Sequence, residues 1–186
     1  MRFENLVFVT SNQNKLREAE AVLGRALESR DLDLPEIQSL DLMEVVRDKA
    51  ATAARRLGRP VLVEDTGLEL AGLGGFPGPL VRWVLASVGA EGIARMAHAF
   101  GDPGATARCL LCATDGEAEV FGEGVVVGRI ADRPRGRGGF GWDSVFVPEQ
   151  PGGRTYGEMR EDEKNAISHR RRAFEALRAA LDTVER

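Results

Sequence analysis

Apolar positions along the chain fall into two kinds of run. Leu6 to Val9 (LVFV) and Val61 to Val63 (VLV) are short and continuous, so both faces need cover and each reads as a buried strand. Leu16, Ala19, Val22, Leu23, Ala26 and Leu27 instead step by three and four residues, which predicts a helix directly after the first strand. Leu42, Val45, Val46, Ala50, Ala53 and Leu57 repeat that pattern, and Gly58 to Pro60 end the helix predicted over 42–57. Between the two helices Asp31 to Gln38 alternates acid and apolar residues. It reads as a short strand closed near Pro35, with Glu36 a solvated edge residue. Strand, helix, strand, helix, strand predicts an α/β fold with parallel strands and right-handed crossovers.

The second half changes character. Leu80 to Ser87 and Glu91 to Phe100 read as two helices, and Ala105 to Thr114 pairs with Glu117 to Ile130 as a hairpin across Asp115-Gly116. Gly122, Gly124 and Gly128 in its second strand suggest bulges or strong bending. Ser144 to Val147 resumes strand character, Pro151-Gly152-Gly153 makes a turn, and the charged stretch Glu158 to Lys164 reads as a solvated face. A final helix starts from Ser168 as N-cap and buries Ala173, Phe174, Leu177 and Leu181.

Composition narrows the class. The 186 residues suit one domain, read as two lobes sharing a sheet, and 43% hydrophobic with 29% charged residues is ordinary for a soluble protein. No apolar run approaches the roughly 18 residues of a membrane span. Met1 to Glu4 lead into a strand without a secretory pattern, so a cytoplasmic enzyme with no membrane partner is expected. A net charge of −4 argues against a nucleic-acid partner. Cys109 and Cys112 are three apart in a strand and point to opposite faces, so buried thiols are expected rather than a redox or zinc pair. Only Lys15, Lys49 and Lys164 are lysine among 25 basic residues. Three retained lysines suggest places that need a compact ammonium, as phosphate oxygens do.

The central strand at Val61 to Val63 runs into Glu64, Asp65, Thr66 and Gly67, which puts two carboxylates at its carboxyl end, where open α/β sheets bind ligands. Adjacent acids at that position need a positive partner, and a hydrated divalent cation is the candidate. Four glycines and two prolines between Gly72 and Pro79 would let backbone approach a ligand closely. The first strand leads through Thr10-Ser11-Asn12-Gln13-Asn14-Lys15 into a helix start, the geometry that binds anions through free amides. Lys15 in one first turn, and His169 and Arg170 in another, are cations where the helix dipole disfavours them, which would make sense beside an anionic or acceptor-rich ligand. Asp132 to Asp143 (DRPRGRGGFGWD) has arginine-glycine character but is one short loop without repeats, better suited to holding Phe140 and Trp142 beside a planar ligand.

These stretches resemble the inosine triphosphate pyrophosphatase family: TSNQNK (10–15), LPEIQS (34–39), VEDTGL (63–68), GGFPGP (74–79), FGWD (140–143), TYGEM (155–159) and EKNAISHR (163–170). The resemblance runs in order from Leu6 to about Leu181 and is nearer to the eukaryotic and archaeal branch. It implies an elongated mixed sheet flanked by helices, with a cleft between two lobes, and cleavage of aberrant purine nucleoside triphosphates (ITP, dITP, XTP) to monophosphate and pyrophosphate. It further implies Mg²⁺, with Mn²⁺ able to substitute, on Glu36 and Asp65, and Asp65 as proton acceptor with Lys15 beside it. Thr10, Ser11, Asn12, Gln13, Asn14, Lys15, Lys49, Thr66 and Lys164 would meet triphosphate and sugar. Phe140, Gly141, Trp142, Asp143, His169 and Arg170 would hold the base. Arg82 stands where the family branch often has lysine, with the charge kept. A homodimer through the patch around Phe76 to Trp83 is also implied. A pyrophosphatase for pyrimidine or modified nucleotides, a non-hydrolysing nucleotide sensor and an arginine-glycine RNA binder are the competing readings.

Overall fold

The computed structural model describes residues 5–150 and 152–184. Met1 to Glu4 and Pro151, read above as a lead into the first strand and part of a turn, lie outside them. Strand β1 (Val7–Val9) passes through a short loop into helix α1 (Gln13–Leu23), and β2 (Ser29–Arg30) precedes α2 (Leu42–Leu57). Helix α1 ends at Gly24, earlier than its apolar steps suggest, and α2 matches its predicted span and ends at a left-handed Gly58. The alternating segment 31–38 forms no strand. Leu32 and Leu34 pack against the α2 side of the sheet while the acids face out, so an extended coil satisfies the alternation, and Pro35 has no amide for a ladder.

Strand β3 (Val61–Leu70) is longer than its apolar run and continues through both carboxylates, so Glu64 and Asp65 lie in mid-strand and not at its tip. Its parallel partner β1 pairs only with Val61 to Val63, and the short β4 (Pro77–Gly78), formed when the glycine-rich stretch folds back, pairs with Leu68 and Glu69 on that edge. Between them that edge of β3 is open from Glu64 to Gly67. The ligand end of the parallel segment therefore survives in the middle of a long strand. Gly67 is needed there because a Cβ would press on the Gly78 backbone at 3.1 Å, so glycine serves this internal approach.

Helix α3 (Val81–Ala99) follows, broken at Gly89 (φ 66°, ψ −175°) into the two limbs predicted. Strands β5 (Gly104–Thr114) and β6 (Glu119–Ile130) make the expected hairpin, and β7 (Phe146–Pro148) adds to β6. The seven strands form one sheet in the order β2-β1-β3-β5-β6-β7, parallel from β2 to β3 and antiparallel beyond, with β4 on β3. Helix α4 (Glu161–Ile167) and helix α5 (His169–Val184) close the chain. Three buried clusters result: α1 and α5 against one face, α2 against the other, and α3 with the Trp142–Tyr156 region packed on Leu68, Leu70, Ala105, Ala107, Val126 and Ile130, further along β3, β5 and β6 on the α5 face. Cys109 and Cys112 fall in different clusters, as strand alternation requires.

The β5–β6 register is unbroken from Gly104↔Arg129 to Thr114↔Glu119, so the glycines of β6 make no bulge. They make room instead. A Cβ at Gly122 or Gly124 would fall inside the backbone of α5 at Ala173 or His169, so α5 lies directly on β6. Gly124→Ala is therefore expected to lower stability by about 3 kcal/mol or more, because backbone rather than a flexible side chain must move. A thermal melt of the variant checks this.

Candidate active site

The open stretch of β3 lines a cleft of about 850 Å³ between the sheet's parallel end and the α3 side, a size usual for small-molecule sites. Thr10, Ser11, Asn12, Gln13, Lys15, Glu36, Lys49, Asp65, Thr66, Arg82, Phe140, Gly141, Trp142, Asp143, Lys164, His169 and Arg170 all line it. All three lysines are among them. Asn14 is the exception: it does not line the cleft, and its amide is taken by the Asn12 side chain. The loop's amides are less free than the strand-loop-helix reading supposes. Asn12 Oδ1 caps α1 by accepting from Asn14 N (3.0 Å) and Lys15 N (3.3 Å), and Asn12 N donates to Thr10 Oγ1 (3.1 Å).

One end of the cleft gathers carboxylates and ammonium groups. Lys15 Nζ lies 3.4 Å from Asp65 Oδ1, and Lys49 Nζ lies 3.2 Å from Asp65 Oδ2 and 3.0 Å from Glu36 Oε2. Thr66 N donates to Asp65 Oδ1 at 2.9 Å. Burial alone would raise the Asp65 pKa, but Lys15, Lys49 and the Thr66 amide outweigh it and hold the carboxyl below its ordinary value. Burial would likewise lower Lys15, and Asp65 with Glu64 more than offsets it, so its ammonium is held firmly charged. The donor set suits a hard divalent cation: one ammonium already bridges Glu36 and Asp65, and such ions take one or two carboxylates plus waters and phosphate oxygens. No cluster of three or more candidate ligands occurs among the described residues.

The other end is more buried. Lys164, expected on a solvated face, is 3% exposed because α4 turns it inward, where its Nζ donates to Asp143 Oδ2 (2.6 Å) and to Glu18. Burial nevertheless leaves the Asp143 carboxyl above its ordinary value despite Lys164. Asp143 Oδ2 also accepts from Phe140 N (2.7 Å), which fixes the FGWD turn. Phe140 is half-buried, with the Lys164 ammonium 4.9 Å and the Arg170 guanidinium 5.6 Å from its ring centre. Trp142 is mostly core, 6% exposed, and packs edge-on to Phe146 and against His169. It supports the wall of this end of the cleft more than it offers a stacking face. Arg82 is exposed at the rim, over its neighbour Trp83.

Arg170 is fully buried. Its Nε and Nη2 donate to Glu64 Oε2 and Oε1 (2.8 and 2.9 Å), and Nη1 donates to Glu18. Against burial, these carboxylates hold it firmly charged. Ser168 caps α5 by accepting from Arg171 N (3.1 Å). His169 is buried beside Trp142 and Tyr156, and its Nδ1 has no partner among the described residues. Burial, then Arg170, Lys164 and Lys15, push its pKa well down, so the imidazole is neutral.

One acid was missed by sequence reasoning, and a second was named without its partner. Glu18 carried a signal, since Lys15, Glu18, Ala19 and Val22 share the i, i+3, i+4, i+7 spacing of one helix face. Glu64 was visible as an acid, but nothing local pointed to Arg170. Asp31, Leu32, Asp33 and Leu34, from the segment read as a strand, also line the cleft.

An α/β sheet opened at mid-strand, with lysines and acids at one end of a cleft and a buried arginine, neutral histidine and phenylalanine at the other, makes a small-molecule site whose two ends differ in chemistry. The chain belongs to the Ham1 family, whose model matches residues 6–180. It is 47% identical over 178 residues to inosine triphosphate pyrophosphatase 2 of the eukaryote Trypanosoma cruzi, covering 94% of this chain and 90% of that protein. The structure of a HAM1 protein from Coxiella burnetii superposes with a TM-score of 0.78 at 29% identity, covering 97% of this chain and all of that one (100%). A nucleoside-triphosphatase / dITP/XTP pyrophosphatase structure from Mycobacterium abscessus gives a TM-score of 0.68 at 32% identity, covering 92% and 97%.

A neutral His169 has a consequence for stability. Its folded pKa lies below its unfolded value of 6.5, so the unfolded chain alone takes up a proton as pH falls, and stability is lost from about pH 6.5 downward. The slope is at most about 1.4 kcal/mol per pH unit for one group. Glu64 and Asp65, whose pKa values are depressed, contribute stability that is lost at lower pH, below their unfolded values of 4.5 and 3.8. Melting temperatures measured between pH 8 and pH 4 should fall in wild type from about pH 6.5, and His169→Gln should flatten the part above pH 5.

Proposed function

We propose that this protein hydrolyses aberrant purine nucleoside triphosphates, ITP, dITP and XTP, to the monophosphate and pyrophosphate with Mg²⁺, and so cleanses the nucleotide pool. The observation that carries the reading is polarity along one cleft: Lys15, Lys49, Asp65 and Glu36 at one end, Arg170, His169 and Phe140 at the other. A Ham1 relative bearing the name inosine triphosphate pyrophosphatase at 47% identity supports the same choice. A nucleotide is long enough to use both ends.

Phosphoanhydride cleavage needs charge neutralisation and alignment more than covalent chemistry. A divalent ion on Glu36 and Asp65 would supply charge neutralisation at the phosphate oxygens. Lys15 and Lys49, 3.4 and 3.2 Å from the Asp65 carboxylate, turn to phosphate oxygens when the triphosphate enters. Asp65 would then face the divalent ion and the attacking water instead of the lysines, and is placed to accept a hydrogen bond from that water. Water oxygen bonds to phosphorus, the bond to the leaving pyrophosphate breaks, and the water proton passes to Asp65.

At the base end Arg170 spends three of its about five N–H donors on Glu64 and Glu18. The remainder suit a 6-keto acceptor and oppose an amino donor. Rejection of GTP rests on its 2-amino group. The Lys164–Asp143 pair and the Phe140 ring border the same end. We also read the chain as one domain of two lobes sharing the sheet, cytoplasmic like its nucleotide substrates, and homodimeric through the exposed rings of Phe76 and Trp83.

Pyrophosphate release from ITP with Mg²⁺ tests the proposal directly. Asp65→Asn should lose at least about a hundredfold in turnover while its melting curve shows a folded protein. Turnover near wild type would remove Asp65 from the reaction. ATP should be cleaved roughly 5- to 150-fold less efficiently than ITP, the equivalent of one mismatched buried hydrogen bond. Equal rates would overturn the base assignment.

A further inference from the structure

Glu64 stands between the two ends of the cleft and has no task in the chemistry above. Its side chain is 1% exposed. It holds Arg170 through two hydrogen bonds, of 2.8 and 2.9 Å, and the oxygen nearer the cleavage end, Oε1, lies 3.5 Å from Lys15 Nζ. The same Nζ lies 3.4 Å from Asp65 Oδ1. Neighbouring side chains of a strand normally face apart. Here one ammonium reaches both because β1 has ended at the level of Val63 and Lys15 crosses the open edge of β3. Lys15 is thus shared nearly evenly by two carboxylates, one tied to the base end and one to the cleavage end.

We propose that Glu64 is a positioning residue that couples the base end to the cleavage end. This rests on the function proposed above. When a 6-keto purine accepts from the spare donors of Arg170, the guanidinium keeps its plane but gives less of its charge to Glu64, and Glu64 takes a larger share of Lys15. Asp65 is then left more open to the divalent ion and phosphate. A base that offers Arg170 no acceptor leaves Glu64 satisfied and Lys15 on Asp65. The wrong base then costs more than its own lost hydrogen bond, since the phosphate end stays closed.

Linkage makes this measurable without turnover, because two sites coupled in this way must tighten each other's ligands. Calorimetric titration of magnesium pyrophosphate into the wild-type protein, with and without saturating inosine, should show tightening of at least about fivefold by inosine, and none by adenosine. Glu64→Gln, which keeps the shape and removes the charge, should abolish the effect of inosine. Glu64→Asp keeps the charge but is too short to span Arg170 and Lys15, and should abolish it too, which keeps the test open if the glutamine variant does not fold. No tightening in wild type, or equal tightening in wild type and a folded variant, overturns the proposal. Absence of pyrophosphate release from ITP by the wild-type protein would count against the proposed reaction instead, and is read in a separate assay.

Discussion

The site depends on a single run of alternating charge. From the more buried end of the cleft it passes Asp143, Lys164, Glu18, Arg170, Glu64, Lys15, Asp65, Lys49 and Glu36, each group paired with the next. Five carboxylates against four cations leave it one negative charge, 5 − 4, over its whole length. Buried ion pairs recover their desolvation only when each charge is satisfied. Alternation provides that, since every inner member touches two groups of opposite sign. Removing any inner member leaves two neighbours short, so the run is better understood as holding side chains in place than as a source of net stability.

The backbone makes room for this run by an interruption. Along one edge β3 pairs with β1, then with nothing from Glu64 to Gly67, then with β4. The other edge stays fully paired to β5 throughout, so the open stretch is held straight. Side chains from α1, α2, α4 and α5 reach into that opening, and α5 can do so only because Gly122 and Gly124 let it lie on β6. Its first residues, His169 and Arg170, are thereby set at the cleft by packing far along the helix.

Much of this could be read from the sequence. Periodicity located α1 and α2, two helices were expected on either side of Gly89, the Asp115-Gly116 turn marked the β5–β6 hairpin, and the stripe of α5 begins with Arg170 if it is extended back from Ala173, Phe174 and Leu177 by the same steps. The three lysines, singled out by their scarcity, all line the cleft. Local pattern failed where tertiary contacts decide. Strand β3 outlasts its apolar run because β5 pairs with all of it, and Lys164 looks solvated until α4 is docked. The glycines of β6 looked like bends because a strand pattern carries no record of a helix above it. Cations in the first turns of α1 and α5 were read as marks of an anionic ligand, yet Glu18, Glu64 and Asp65 already offset them within the protein.

That last point bears on why lysine and arginine are divided as they are. An ammonium is a compact charge on a flexible stem, and its three donors rotate together, so it can leave one carboxylate for a phosphate oxygen without losing geometry. Lys15 and Lys49, each set between two carboxylates, are therefore suited to exchange of partners. The guanidinium is a planar fork that holds two oxygens at once and resists rotation. Arg170, bonded through that fork to Glu64 and through its third nitrogen to Glu18, is suited to holding a fixed plane. On the function proposed above, exchangeable cations thus stand where charge would be redistributed during cleavage, and a rigid one stands where shape and hydrogen-bond polarity would be read. Exchanging the two types would keep the net charge of the run while reversing which end can move.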